Sequence, residues 1–348
     1  MVNITSGIGQ VCLHLGRELV RQQPPGWELT FLVSPEQVGL FENSGYAGAV
    51  EYVVATRWRR VWHPWKFDVW HCLYQNSRYL PMRDTSLVYT IHDLNYLYLP
   101  DYSAQRKARQ KARYQRIINQ AAAVTTISDY VAQDIRQQLT VMPDKPLDVI
   151  YWGIEPSANA PTSPPTVNLR GPFLFFVGML QPYKNIHTML PLLKAYPEYQ
   201  LVLAGPDKPA YSEAIRRQAE AMGVGNQLLL IGIIDEPTKR WLYAHCDAFL
   251  FPSLQEGFGL PVLEAMAFGK PVFCSTLTSL PEVGGPEAFY FPSFGAETVV
   301  ETFRQGMTAY RNDPAMPDRL RNRSQQFSWE AAATRYWALY QTVVRTPP

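Results

Sequence analysis

Short apolar runs alternate along the chain with stretches whose apolar residues recur every three to four positions, the mark of strands and amphipathic helices in turn. In the first half, strands are predicted over 28–33, 68–72, 86–91, 123–127 and 148–151, with helices over 10–21, 104–120 and 130–139. Residues 155–170 break the pattern with four prolines in sixteen positions and read as a linker. Beyond it, strands are predicted over 173–177, 200–204, 228–231, 248–251, 271–274 and 288–291, with helices over 210–222, 237–245, 261–268, 296–312 and 329–344. The expected class is α/β: two Rossmann-like, doubly wound domains, 1–155 and 171–328, a linker at 156–170, and a C-terminal helix within 329–348 that crosses back to the first domain. Such sheets bind ligands at the carboxyl ends of their strands, and two of them facing each other leave a central cleft.

The opening departs from this scheme. A doubly wound domain should begin with an apolar strand, yet only Val2-Asn3-Ile4 precedes the turn expected at Thr5-Ser6-Gly7-Ile8-Gly9. Either that stub is the strand or residues are missing upstream. At 348 residues the chain suits about two domains, and 47% hydrophobic with 18% charged residues excludes wholesale disorder. No apolar run reaches the roughly 18 residues of a membrane span, and no leader pattern opens the chain. Cys12, Cys72, Cys246 and Cys274 are far apart, so a zinc site or disulfide framework is not expected and a reducing cytoplasm is.

Motifs narrow the chemistry. There is no P-loop, and Cys12 stands where a dinucleotide fingerprint beginning at Gly7-Ile8-Gly9 needs its third glycine. There is no Asp-x-Asp, the carboxylate pair with which many enzymes hold a sugar nucleotide through a divalent ion, so no metal and no cofactor is expected. The strongest signal is Phe251-Pro-Ser-Leu-Gln-Glu256-Gly257-Phe258-Gly259-Leu260-Pro261, followed by Glu264. Pro261 suits a first helical turn, where a missing N–H costs nothing. A helix start carrying about +0.5 charge, reached through glycines that permit close approach, is a metal-free seat for a diphosphate. From there Glu256 can meet a reacting sugar while Glu264 reaches ribose hydroxyls. The plainer reading makes both glutamates surface acids at a helix start, Lys184 a solvated lysine, His92 a structural histidine and the Gly7–Gly9 pair a simple turn.

These residues carry a resemblance. Glu256 to Glu264, with Gly269-Lys270-Pro271-Val272 and Ser279-Leu280-Pro281-Glu282-Val283, resemble the retaining glycosyltransferases of family four, which have the GT-B fold. Phe176-Val177-Gly178 through Lys184-Asn185 resembles that family's diphosphate segment, Thr90-Ile91-His92-Asp93-Leu94 its acceptor-domain histidine motif, and Ser6-Gly7-Ile8-Gly9 its N-terminal glycine loop. Thr126-Ile127-Ser128-Asp129-Tyr130 and Tyr151-Trp152-Gly153-Ile154 match further landmarks. The resemblance implies a hexosyl transfer from a UDP- or GDP-linked sugar to a glycan or lipid-linked acceptor, with retention at the anomeric carbon, in surface-polysaccharide assembly. It implies catalytic roles for Glu256, His92 and Lys184, donor binding by Gly178, Gly257, Phe258, Gly259, Leu260 and Glu264, and an acceptor or diphosphate loop at Gly7 and Gly9. Met179 and Tyr183 stand where many members carry arginine, which leaves Lys184 as the cation of its segment. An inactive binding protein of this fold, or a sugar-nucleotide epimerase, is the alternative.

The net charge of +2 hides an asymmetry. Residues 57–116 hold twelve lysines and arginines against four aspartates, +8, so the remainder sums to −6. Arg57-Trp58-Arg59-Arg60-Val61-Trp62-His63-Pro64-Trp65-Lys66 interleaves aromatics with cations, and Arg106, Arg109, Arg113 and Arg116 share one helical face. Together they suggest an anionic membrane surface as partner, on the inner face of the plasma membrane. A solvated helix beside a tryptophan cluster is the alternative. Nucleic acid is not expected, because the glutamate loop would have no part in binding it.

Overall fold

The computed structural model describes residues 7–41, 50–56, 58, 66–81, 84–155 and 161–344. The expected strand and turn residues Val2-Asn3-Ile4-Thr5-Ser6, Arg57 and residues 59–65 of the basic aromatic stretch, and residues 156–160 of the expected linker lie outside that set. The chain divides into two units, Met1–Gly153 with Phe327–Pro348, and Ile154–Gln326.

The first unit runs α1 (Gly7–Arg21), β1 (Leu29–Val33), β2 (Val50–Val54), β3 (Val69–Cys72), β4 (Ser86–Ile91), α2 (Ala104–Gln120), β5 (Ala123–Thr126), α3 (Asp129–Gln138) and β6 (Leu147–Val149). Strands β3-β4-β5-β6 form one parallel sheet, and β1-β2 a separate parallel pair. Between the two lies a cavity of about 940 Å³, lined by Phe31 and Leu32 of β1, Trp70 and His71 of β3, and Leu15 of α1. Every residue of β4 and β5 is buried, the expected fate of strands covered on both faces.

One expectation is corrected here. Gly7 and Gly9 do not make a turn; they are the first and third residues of α1. The apolar period of α1 extends to its start, with Gly9, Val11, Leu13, Leu15 and Leu19 buried. A glycine pair is tolerated in that first turn, where the amides have no intrahelical partner in any case.

The second unit runs β7 (Phe173–Val177), α4 (Leu190–Ala195), β8 (Gln200–Ala204), α5 (Pro209–Ala221), β9 (Leu228–Gly232), α6 (Glu236–His245), β10 (Ala248–Phe251), α7 (Leu260–Ala267), β11 (Val272–Ser275), α8 (Leu280–Gly284), β12 (Phe289–Phe291), α9 (Ala296–Asn312) and α10 (Met316–Gln325). Its six parallel strands are ordered β12-β11-β10-β7-β8-β9. Residues 161–170 of the expected linker carry no helix or strand.

Helix α11 (Trp329–Val343) belongs to the first unit and packs on α1. The Trp337 Nε1–H donates to the Leu19 carbonyl at 3.1 Å. Beneath the helix runs a polar seam. His71 Nδ1 lies 2.6 Å from the Tyr340 hydroxyl, and His71 Nε2 lies 2.7 Å from Thr90 Oγ1, itself 2.6 Å from Thr125 Oγ1. Three strands are thereby joined to α11 by hydrogen bonds as well as by apolar packing.

Candidate active site

Strand order in the second unit reverses between β7 and β10, which lie side by side at the centre of the sheet. Loops leaving such a reversal diverge and open a crevice at the strands' carboxyl ends. The loop after β7 holds Gly178 and Lys184. The loop after β10 holds Glu256, Gly257, Phe258 and Gly259 and leads into α7 at Leu260.

The two loops meet through charge. Lys184 Nζ lies 2.5 Å from Glu256 Oε1, with the side chains only 10% and 14% exposed. The same ammonium stands over the Tyr183 and Phe251 rings, 5.3 and 5.0 Å from their centres. Backbone stitches them too, the Leu254 amide donating to the Tyr183 carbonyl at 2.8 Å. Tyr183 thus supplies a ring and a carbonyl to the site. Met179 is exposed.

Glycine is required where the loops leave the sheet. Gly178 has φ +151 and Gly205, just past β8, has φ +120. A Cβ on Gly205 would fall 2.3 Å from the Gly178 carbonyl oxygen, so the two strand ends approach as no side chain would allow. Gly259, at φ +115, caps α7. The Ser279 hydroxyl donates to the Phe258 carbonyl at 2.7 Å and to the Glu256 carbonyl at 3.2 Å, and Thr278 Oγ1 accepts from the Glu256 amide at 3.2 Å. The Glu256–Leu260 loop is thereby held by the segment leading into α8, and the N-terminus of α7, the positive end of its dipole, opens beside Glu256.

Glu264 is engaged at the far side of α7. Lys239 Nζ lies 3.0 Å from its Oε1, and the Tyr243 hydroxyl donates to Oε2 at 2.8 Å. Burial works to lower the Lys239 pKa, but Glu264 and Glu236 outweigh it and the net shift is upward, so this ammonium stays charged.

His92 belongs to the first unit, at the end of β4. Its amide donates to Gln75 Oε1 at 2.5 Å, and its ring meets Trp152 edge to face at 5.1 Å. Neither ring nitrogen has a hydrogen bond of good geometry among the described residues. Burial pushes the imidazole down to about 4, with the Leu73 backbone pulling the other way, and burial takes His71 down to about 3. Unfolded, both would take a proton near 6.5, so as pH falls below that value protons favour the unfolded chain. Stability is expected to be complete above about pH 6.5 and to fall toward pH 4, by up to about 1.4 kcal/mol per unit for each histidine. Thermal unfolding from pH 7.5 to 4.5 checks this, and a flat profile would contradict it.

The structure therefore brings together Lys184, Glu256, Gly178 and the Gly257–Leu260 loop, and places Glu264 on the helix they lead into. His92, Gly7 and Gly9 are in the other unit.

Comparison with known families covers nearly the whole chain. The Glycosyltransferase Family 4 description matches residues 5–158, and Glycosyl transferases group 1 matches residues 163–327. The chain belongs to the family 4 glycosyltransferases. This glycosyltransferase is 26% identical over 271 residues to the O-antigen chain mannosyltransferase B of Escherichia coli, covering 74% of this chain and 70% of the relative. It is 30% identical over 226 residues to the serotype-specific mannosyltransferase WbdA of Escherichia coli, covering 61% of this chain but 28% of that longer protein. Among solved structures, Anabaena HepE in complex with UDP and glucose aligns over 97% of this chain and 96% of its own, with a TM-score of 0.74 at 15% identity. That likeness shows the GT-B fold of the glycosyltransferase.

Several residues of the site escaped sequence reasoning. Ser279 opens the stretch Ser279-Leu280-Pro281, whose residues carry no local sign of its bonds to the glutamate loop, and Gly205 follows β8 as Gly178 follows β7, a parallel the sequence does carry. Lys239, Tyr243 and Gln75 carried no local signal, because topology alone brings them to Glu264 and His92.

Proposed function

We propose that this glycosyltransferase moves a hexosyl group from a UDP- or GDP-linked sugar to a glycan or lipid-linked acceptor, with retention of anomeric configuration, in surface-polysaccharide biosynthesis. The observation that carries the donor reading is the Lys184–Glu256 pair beside the start of α7, at the strand-order reversal. The O-antigen chain mannosyltransferase among its relatives supports the pathway.

In this reading Lys184 and the α7 terminus stabilise the leaving diphosphate, so the phosphate must join or displace the Glu256 contact. Glu256 positions the donor sugar through its hydroxyls, and the catalytic part proposed for His92, a neutral imidazole at the end of β4, rests on the resemblance of its segment to the family's histidine motif. The acceptor hydroxyl attacks on the face the diphosphate leaves, a diphosphate oxygen takes its proton, and the sugar passes through an oxocarbenium-like state. Glu264, steadied by Lys239 and Tyr243, holds the ribose. A thermal-shift panel of UDP- and GDP-sugars, run with excess chelator, tests the donor site. One nucleotide sugar at 100 times its Kd should add about 2.7 kcal/mol. No shift with any of them, or one only when a divalent ion is supplied, would count against the reading.

An anionic membrane surface is proposed as the place of work, with Trp58 exposed and Arg106 and Arg109 exposed on α2. Among the described residues no helix is long and apolar enough to cross a membrane. Exposed charges are screened over about 8 Å at physiological salt. Co-sedimentation is therefore expected with anionic vesicles, weakening as salt rises, and not with neutral ones; equal binding to both would contradict it.

A further inference from the structure

Helix α2 is built against its own interest. Between 104 and 120 it carries six cations and no carboxylate, and no acid in its first turn. Cations in a first turn oppose the helix dipole, and like charges spaced three or four apart repel. Arg109, Arg113 and Arg116 have that spacing. Arg78 joins them from the loop after β3, and a cavity of about 670 Å³ opens among the four guanidinium groups, with Asn76 and Gln110 also lining it. Among the described residues Arg78, Arg109 and Arg116 have no carboxylate partner.

The floor of this cavity is fixed. Arg113 Nη2 donates to the Ser77 carbonyl at 2.7 Å and Nη1 to Asn76 Oδ1 at 3.3 Å. Asn76 Oδ1 also accepts from Gln110 Nε2 at 2.8 Å and from the Tyr114 hydroxyl at 3.1 Å. A diffuse attraction to negative surfaces needs none of this. The planar guanidinium forks of Arg78, Arg109 and Arg116 around a preset concavity match the oxygens of a phosphate, each able to bind two, while Arg113, engaged by Ser77 and Asn76, adds its charge. The cavity exceeds a single phosphate, so the group can carry a substituent.

We propose that Arg78, Arg109, Arg113 and Arg116 form a binding site for a phosphate-bearing anion on the first unit. It lies outside the donor loops and does not depend on them. The source of the phosphate is either a soluble molecule or a lipid headgroup.

Calorimetric titration with inorganic pyrophosphate tests it, using the full chain, the double variant Arg78→Gln/Arg116→Gln, Lys184→Ala, and the three changes together. The site predicts binding to the wild type, retained in Lys184→Ala and at least tenfold weaker when Arg78→Gln/Arg116→Gln is added to Lys184→Ala, where the donor loops no longer hold pyrophosphate. Without ligand the double variant should melt no lower than the wild type, since its change relieves repulsion. Vesicles holding a phosphomonoester lipid, compared with a phosphodiester lipid at equal total charge, identify the source. A monoester preference lost in the double variant supports a lipid headgroup; retained pyrophosphate binding without that preference supports a soluble ligand. The proposal is overturned if pyrophosphate fails to bind, or if adding Arg78→Gln/Arg116→Gln to Lys184→Ala leaves its affinity unchanged. It is equally overturned if Lys184→Ala alone abolishes binding, which would place the phosphate at the donor loops.

Discussion

Lys184→Ala is expected to raise the dissociation constant for a nucleotide diphosphate about 10- to 150-fold, the loss of one charged hydrogen bond worth about 1.5–3 kcal/mol. Transfer should fall further, by about two to three orders of magnitude, because the lost charge acts on the departing diphosphate. The variant should also be less stable, since Glu256 then keeps a nearly buried carboxylate with its partner gone. Glu256→Gln should impair transfer while leaving Lys184 unpaired. The double change Lys184→Met/Glu256→Gln separates the two effects: stability should return toward the wild type and activity should not. Denaturant unfolding and initial transfer rates read both. Single variants within twofold of the wild type in affinity and rate would sink the donor assignment.

Trp337→Ala should cost about 3–5 kcal/mol, the usual range for emptying a buried tryptophan site. Its indole is buried on α11, bonds the Leu19 carbonyl, and meets the Trp27 and Tyr340 rings at 5.4 and 5.5 Å. The loss should fall in the transition of the first unit, while Lys184 and Glu256, in the other, keep their contact. Tyr340→Phe should cost less, about 1–3 kcal/mol, by leaving His71 Nδ1 without its hydroxyl. Guanidinium unfolding curves measure both, and a Trp337→Ala cost below 1 kcal/mol would show that α11 is not part of this core.

What the sequence made legible follows from how local each signal was. Helices α2 and α9 match their predicted ranges, 104–120 and 296–312: α9 buries Val299, Phe303, Gly306 and Met307 along one stripe, and α2, which buries only Tyr114, Ile117 and Ile118, is marked by Ser103 at its start and by arginines that share one face. Helix α10 escaped notice because only Met316, Leu320 and Ser324 are buried on it, a stripe too thin to show a period. Strand β2 was missed because it pairs with β1 alone and its exposed Glu51 leaves only Tyr52-Val53-Val54 of the strand as an unbroken apolar run, shorter than those of the buried strands. At Gly7 and Gly9 a turn cue yielded to the packing of α1. The glutamate loop was readable because glycine and proline dictate its backbone, Gly259 above all. The partners of those glutamates were not, since strand order decides which distant loops meet.

A last consequence lies at Gly153. A Cβ there would come within 2.0 Å of the Trp329 amide nitrogen, so the chain leaves the first unit and re-enters it at one point. The 154–326 unit is thus an insertion with its two ends side by side. During synthesis the first unit is not complete when its own strands are finished. It must wait for α11, which emerges only after the whole insertion has been translated, a delay of roughly 10–30 s at ordinary elongation rates. The half of the chain that is made first is therefore the half that is completed last, and until then the face that α11 will cover on β3, β4 and α1 stands open to whatever else in the cell binds apolar surface.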